Sequence, residues 1–335
     1  MWSRIRSTFV RTSLGALALA TSLAALPVQA AAPRFCVFDP AGADGDLHAL
    51  AGHYLKGSGV TLLPYHDERI AVEDFKAGRC DGVAVSSFRA RAFNEFVASI
   101  DAPGALSTAA EMKSLATVLA NPKLAPDLVR GNIEVAGVIP LGNLHVLVRD
   151  RYLHTPAKLA GRRIGVLEWD RAQARIVQSL GAQPVGSDVS QYALRFNNGQ
   201  VDVIAAPALL FRHFELERGV GERGAVFRFP LMPLTAVLLV HSDRFPEGFA
   251  ARLRAGIPER IDAGMARVAA AEAAIKPRYW QELTEAEHTR YRQMVDDLRA
   301  QMQREGFYDA RMMALLRQVR CRHEPSRAEC SIARR

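Results

Sequence analysis

One seven-residue frame, F-x-x-G-x-x-D followed by a small apolar run, occurs twice and sets what this chain can fold into. Phe75-Lys76-Ala77-Gly78-Arg79-Cys80-Asp81 leads into Gly82-Val83-Ala84-Val85-Ser86, and Phe196-Asn197-Asn198-Gly199-Gln200-Val201-Asp202 leads into Val203-Ile204-Ala205-Ala206-Pro207. Each copy reads as a last helical turn, a glycine in the left-handed conformation, and a short buried strand. Ahead of each lies a strand-like piece containing proline, Val60 to Pro64 and Ala182 to Val185, then a polar turn and a short helix. A strand-helix-strand unit built twice predicts two similar α/β lobes, a plan that suits 335 residues.

The first thirty residues lie outside that plan. Arg4, Arg6 and Arg11 precede a mostly apolar run from Leu14 to Leu26, and Val28-Gln29-Ala30 offers small residues where a signal peptidase cuts. Residues 1–30 are expected to be a cleavable signal peptide, with cleavage after Ala30 and Ala32 as the alternative. The run is shorter than the ~20 residues a membrane span needs. An exported, periplasmic protein is therefore expected. Removing the segment lowers the formal charge from +8 to +5. That balance slightly favours anionic ligands but lacks the dense basic stripe of a nucleic-acid binder.

Four cysteines, Cys36, Cys80, Cys321 and Cys330, remain in the exported part and permit three pairings in an oxidising compartment. Cys36 opens the first strand and Cys80 the strand of the first repeat, so neighbouring strands would let them bridge. Cys321 and Cys330 enclose a short polar loop. Cys36–Cys80 and Cys321–Cys330 is thus the preferred pairing. No C-x-x-C occurs and the nine histidines are scattered, so neither a metal nor a cofactor is expected.

Open α/β sheets bind ligands beyond the carboxyl ends of their strands. The stretch from Ser86 to Asn94 places two hydroxyls, two arginines and an amide there, the best candidate cluster in the chain. Asp39 ends the first strand, ahead of a glycine-bearing turn. The residues expected to line a cleft are Asp39, Ser86, Ser87, Arg89, Arg91, Asn143, Trp169, Asp170, Asn197 and Pro207. Each polar member can instead serve as a helix cap or strand-end hydrogen bond. Asp81 and Asp202 begin strands at the opposite end and read as structural. Asp170 reads as a helix N-cap and Thr284-Glu285-Ala286-Glu287 as a capping box.

The segment Thr155 to Val166, then Leu180-Gly181-Ala182-Gln183-Pro184-Val185, then Asn197 to Pro207, resembles the ligand-binding subunits of TRAP-type transporters. In those, an L-K-G-x-K-I-R-V strand precedes L-G-A-x-P-V and G-x-V-D-G. The stretches 67–82, 88–94 and 308–321 are closer still to a branch of periplasmic solute-binding proteins, some of them described as accessory to RND-type efflux. The resemblance implies a two-lobe periplasmic-binding-protein fold of type II with hinge strands and a helical C-terminal wrap. It implies a first lobe of residues 31–146 and 233–335 and a second of 147–232. One departure stands out. The TRAP arginine that grips a substrate carboxylate is Gly165 here, so Arg89, Arg91, Arg149 or Arg171 would have to replace it.

The expected function is capture of a small organic solute, an anion being one option, and its delivery by a monomer to integral membrane transporter subunits. The alternative is an accessory or docking protein of an efflux complex or a sensor. The chain lacks a nucleophile elbow, an H-E-x-x-H pair and a Ser-x-x-Lys, so an enzyme is not expected and no catalytic residue is assigned.

Overall fold

The structure is a computed structural model that describes Trp2 and residues 31–331; the expected signal peptide, Trp2 apart, lies outside the described residues. The strands are β1 (Arg34–Phe38), β2 (Thr61–Tyr65), β3 (Gly82–Ser86), β4 (Val129–Arg130), β5 (Ile133–Val148), β6 (Arg163–Leu167), β7 (Gln183–Ser187), β8 (Val203–Pro207), β9 (Ala225–Phe227), β10 (Met232–His241) and β11 (Trp280–Gln281). The helices are α1 (Asp46–Leu55), α2 (Glu68–Lys76), α3 (Ser87–Ala90), α4 (Glu95–Ala98), α5 (Ala109–Leu119), α6 (Arg171–Ser179), α7 (Val189–Asn197), α8 (Leu216–Val220), α9 (Phe249–Ala274), α10 (Glu285–Arg304), α11 (Ala310–His323) and α12 (Ala328–Ser331).

The main path through the sheet runs β2-β1-β3-β10-β5-β8-β6-β7. Its two ends repeat one plan. β1-α1-β2-α2-β3 gives the parallel order β2-β1-β3, and β6-α6-β7-α7-β8 gives β7-β6-β8. The outermost strands, β2 and β7, carry Pro64 and Pro184, where a missing N–H costs least; in the central strands Pro140 and Pro233 fall at and beside the β5/β10 bulge and Pro207 ends β8.

The repeated frame folds identically in both copies. Phe75 and Phe196 are fully buried, and Gly78 and Gly199 stop their helices at φ 70° and 73°. Asp81 then accepts from the Arg34 N–H at 2.7 Å and Asp202 from the Arg163 N–H at 3.0 Å. Each aspartate N–H returns a bond to the same arginine's carbonyl at 2.8 Å. Each aspartate carbonyl also accepts from the neighbouring antiparallel strand, from His241 and Arg149 respectively. Both aspartates therefore lock strand starts, the structural role expected of them.

Between the repeats run two antiparallel strands. β5 pairs with β10 from Ile133 to Leu144 and with β8 from Leu144 to Val148, so one continuous strand serves both halves of the sheet. At the changeover a bulge sets Leu234 against Gly142 and Thr235 against Pro140, leaving Leu141 unmatched. Gly142 has φ 97°, and a Cβ there would lie 2.6 Å from Val268 of α9, so only glycine lets that helix pass under the crossing.

In the first half, Phe75 (α2), Leu115 (α5) and Leu316 (α11) pack with Cys36 and Val83 on one sheet face, while Leu50 (α1) and Ile261 (α9) pack with Val37 and Leu238 on the other. Tyr291 and Val295 of α10 belong instead to a cluster with Val146, Ile164 and Val203 of the second half. Both expected disulfides are present, with Cα separations of 5.8 Å for Cys36–Cys80 and 5.5 Å for Cys321–Cys330. The Thr284 capping box and the Asp170 N-cap are present as read from the sequence.

The two bridges close segments of 44 and 9 residues. Chain entropy then assigns roughly 4 kcal/mol to the first and roughly 2.6 kcal/mol to the second. Replacing Cys36 and Cys80 together by alanine is expected to lower the urea midpoint clearly more than replacing Cys321 and Cys330. Equal losses in urea denaturation would contradict that account.

Candidate functional site

The carboxyl ends of β1, β3, β6 and β8 face one crevice, and Phe38, Ser86, Leu167 and Pro207 all line it. It encloses a cavity of about 200 Å³, walled by both sheet halves, the crossing strands and α10. The lining is overwhelmingly aliphatic, with Leu47, Ile139, Leu141, Ile164, Val166 and Ile204 representative of it. Its polar side chains are Glu68, Ser86, Gln173, Tyr192 and Tyr291.

Glu68 begins α2 beside the capping Asp67 and turns inward, 4% exposed. Its Oε1 accepts from the Ser86 N–H at 2.6 Å, and its Oε2 lies 3.6 Å from Arg89 Nε. Burial raises the Glu68 carboxyl above the usual range, against the opposing pull of Ser86 and Arg89. The Arg89 guanidinium lies over the Trp169 ring at 3.8 Å, joining the ends of β3 and β6 beside the crevice. Arg89 Nε and Trp169 Nε1 are buried without hydrogen-bond partners. In the wall, Gln173 Oε1 accepts from the Leu167 N–H at 3.0 Å.

Of the ten residues expected at a cleft, Ser86 and Pro207 line the cavity, and Arg89 and Trp169 stack on each other just outside its lining. The remaining six have internal partners. Asp39 accepts from the Ala41 and His48 N–H groups, both at 2.8 Å, and the loop wraps the carboxylate so closely that a Cβ on Gly45 would overlap it. Ser87 donates to Asp101. Arg91 donates to the carbonyls of Phe307 at 2.5 Å and Ala98 at 3.1 Å. Asn143 donates to the Ser107 carbonyl, and Asp170 caps α6. Asn197 binds the Phe214 carbonyl and the Gly219 N–H. Among the other arginines considered, Arg149 donates to the carbonyls of Phe196, Asn197 and Gly219, and Arg171 is exposed.

Sequence reading passed over Glu68, Gln173, Tyr192 and Tyr291. Glu68 stands in a charged helix that reads as solvated, and only its N-terminal position beside the strand end hinted otherwise. Tyr192 carries the most structural weight. The β6–β8 pairing registers at Ile164 and Val203 and goes no further. Beyond it, the Tyr192 hydroxyl donates to the Ala205 carbonyl and accepts from the Ala205 N–H, both at 2.9 Å. The ring fills the space in front of Gly165, where a Cβ would lie 3.2 Å from Tyr192 Cε2 and 3.0 Å from Ile204 Cγ2. Position 165, expected from the resemblance to TRAP subunits to carry a clamping arginine, is closed here by Tyr192 and Ile204.

Beside the crossing strands, Asp101 is 2% exposed and accepts from the Thr235 N–H at 2.8 Å, the Thr235 hydroxyl at 2.9 Å and the Ser87 hydroxyl. Burial outweighs those donors and pushes its pKa up to about 7. No group of three or more His, Cys, Asp or Glu side chains is placed to hold a metal ion among the described residues, and no helix among them is long and apolar enough to cross a membrane.

The family model described as "Solute-binding protein AdeT 1/2" matches residues 56–335. An Acinetobacter baumannii protein named "Probable solute-binding protein AdeT1" is 38% identical over 301 residues, spanning 88% of this chain and 99% of that protein. The fold is similar to that of a TRAP periplasmic solute-binding protein from Desulfovibrio salexigens with bound orotic acid. That match has a TM-score of 0.71 at 14% identity and covers 87% of this chain and 99% of the other. A TRAP periplasmic solute-binding protein from Pseudomonas aeruginosa with bound L-malate matches with a TM-score of 0.62 at 14% identity, covering 81% and 99%. These two-lobe structures share the fold read from the repeat.

Two expectations follow. Gly165→Arg overpacks the wall and should cost about 3 kcal/mol of stability, and less in a Tyr192→Ala background. An equal cost in both backgrounds, measured by denaturant unfolding, would refute the packing account. Asp101 binds its proton more tightly when folded than unfolded, so its contribution to stability declines as pH rises from about 4 to about 7. Asp101→Asn should flatten the denaturation midpoint between pH 5 and pH 8. Glu68 and Asp170, also raised by burial, leave a residual slope of the same sign.

Proposed function

The chain belongs to the solute-binding protein AdeT 1/2 family, and on that premise we propose that it captures a small organic solute in the crevice between two lobes and delivers it to integral membrane transporter subunits. The observation that carries this reading is the cavity at the carboxyl ends of two duplicated parallel units, crossed by β5 and β10. Ligands of open α/β sheets sit there, and a crossing made of two strands suits closure by hinge bending. The lobes are taken as residues 31–146 with 233–335, and 147–232. The protein acts as a periplasmic monomer after removal of residues 1–30, and it uses no cofactor and carries out no catalysis.

Within this reading Ser86 and Pro207 contact the solute, and Arg89 and Trp169 close over it. Asp39, Ser87, Arg91, Asn143, Asp170 and Asn197 hold the crevice loops in place, as their internal hydrogen bonds support. The acids bound by the TRAP neighbours would need a cation, and of the arginines considered Arg89 stands best to supply one. Glu68 already faces it. The docking alternative has less support, since Ile70, Val129, Tyr152 and Leu194, large apolar side chains exposed among the described residues, sit on separate elements.

The test is a thermal-shift screen of the exported, oxidised protein against organic acids, amino acids, sugars, aminoglycosides and small aromatic compounds. A solute at about 100 times its Kd adds roughly 2.7 kcal/mol and raises the midpoint by several degrees. Such a hit should also reduce the radius of gyration in solution scattering. A panel with no hit would count against solute capture and favour the docking role.

A further inference from the structure

We propose that the natural solute is a compact apolar molecule, a substituted aromatic ring or a branched hydrocarbon of similar bulk, with at most one hydrogen-bonding head group and no net charge. The proposal rests on the solute-binding reading and narrows it.

Size and surface come first. An apolar cavity of ~150 Å³ lined by leucine, isoleucine and phenylalanine stays dry and takes up benzene. The crevice offers about 200 Å³ with the same kind of wall, enough for a ring with a small substituent. A polyhydroxylated acid would press several hydroxyls against Leu141, Ile164, Val166 and Ile204, where each loses its water without gaining a partner.

Charge points the same way. The buried carboxylate in the lining is Glu68, and the guanidinium beside it, Arg89, compensates it at 3.6 Å. A carboxylate solute would bring a second negative charge to a guanidinium already shared. The place of the TRAP clamp is filled by the Tyr192 ring and Ile204. A cationic solute would have to separate Glu68 from both Arg89 and the Ser86 N–H.

The polar inventory leaves room for one head group. Glu68, Ser86, the Gln173 carbonyl and the Tyr192 hydroxyl are all engaged within the protein. Among the lining side chains, what remains to meet a solute is the Gln173 NH2 and the hydroxyl of Tyr291, a fully buried side chain whose oxygen has no hydrogen-bond partner; Arg89 Nε and Trp169 Nε1, also unpartnered, lie outside the lining. A buried hydroxyl left unpaired is costly, and a solute hydroxyl or carbonyl would satisfy it.

The experiment is calorimetric titration of the exported, disulfide-intact protein with p-cresol, indole and toluene, and separately with malate, glucuronate and lysine. The aromatic probes are expected to bind at one site with a negative heat-capacity change, and the polar probes to give no heat. Ala84→Leu, which puts three extra carbons into the lining, should weaken the aromatic probes at least tenfold. Tyr291→Phe should weaken p-cresol about fivefold and leave toluene unchanged. Should Ala84→Leu fail to fold, Tyr291→Phe still decides. Binding of the acids or lysine while the aromatics stay silent would overturn the proposal and leave solute capture intact. Silence from every probe would overturn both. Aromatic binding indifferent to both substitutions would place it elsewhere and overturn the assignment to this crevice.

Discussion

The pairing of β5 with β10 is the constraint on which the rest of the molecule depends. Each strand is buried through most of its length, and β5 hands its partner edge from β10 to β8 at the bulge beside Leu141. The two repeated units share no other continuous backbone edge along the main sheet path. Their relative placement, and so the shape of the crevice, follows from this crossing. Asp101 fastens Thr235 on the β10 side, and α9 runs beneath Gly142 on the β5 side. Bending concentrated at the bulge leaves the paired segments on either side intact.

Much of the architecture was legible because the chain states it twice. The two aspartates, the two left-handed glycines and the two edge prolines are local devices whose physics needs no knowledge of distant residues. The disulfides followed once Cys36 and Cys80 were seen to open neighbouring strands. Boundaries blurred where packing decides. After α5 the prolines at 122 and 126 do not end helical structure but shape a seven-residue 3₁₀ helix, Pro122–Leu128. The C-terminal helices read as one wrap, yet α10 gives Tyr291 and Val295 to the core of the second half and Met302 to that of the first, where α11 packs.

The site was harder to read, for a definite reason. Polar residues in loops and turns are well placed to satisfy backbone groups; Asp39, Arg91, Asn143, Asp170 and Asn197 are spent that way, and Ser87 is spent on the Asp101 carboxylate. Whether such a residue faces a ligand depends on which neighbours claim it first. Sequence alone does not show those competitors. Glu68 shows the converse, because in a charged helix only its place at the N-terminal start, beside a strand end, sets apart the carboxylate that turns inward. An apolar crevice is invisible for the same reason that a core is: its residues look like any other buried wall.

The meeting of Gly165 with Tyr192 couples the two positions. An arginine arriving at position 165 alone collides with the ring and with Ile204. Losing the tyrosine alone strips the Ala205 N–H and carbonyl of their shared partner and opens a void in the wall. Each single change therefore carries a packing cost, and a long side chain at position 165 fits only together with a change at 192. The wall at position 165 is thus set jointly by two residues that the sequence places 27 apart, and neither can be read as a site residue without the other.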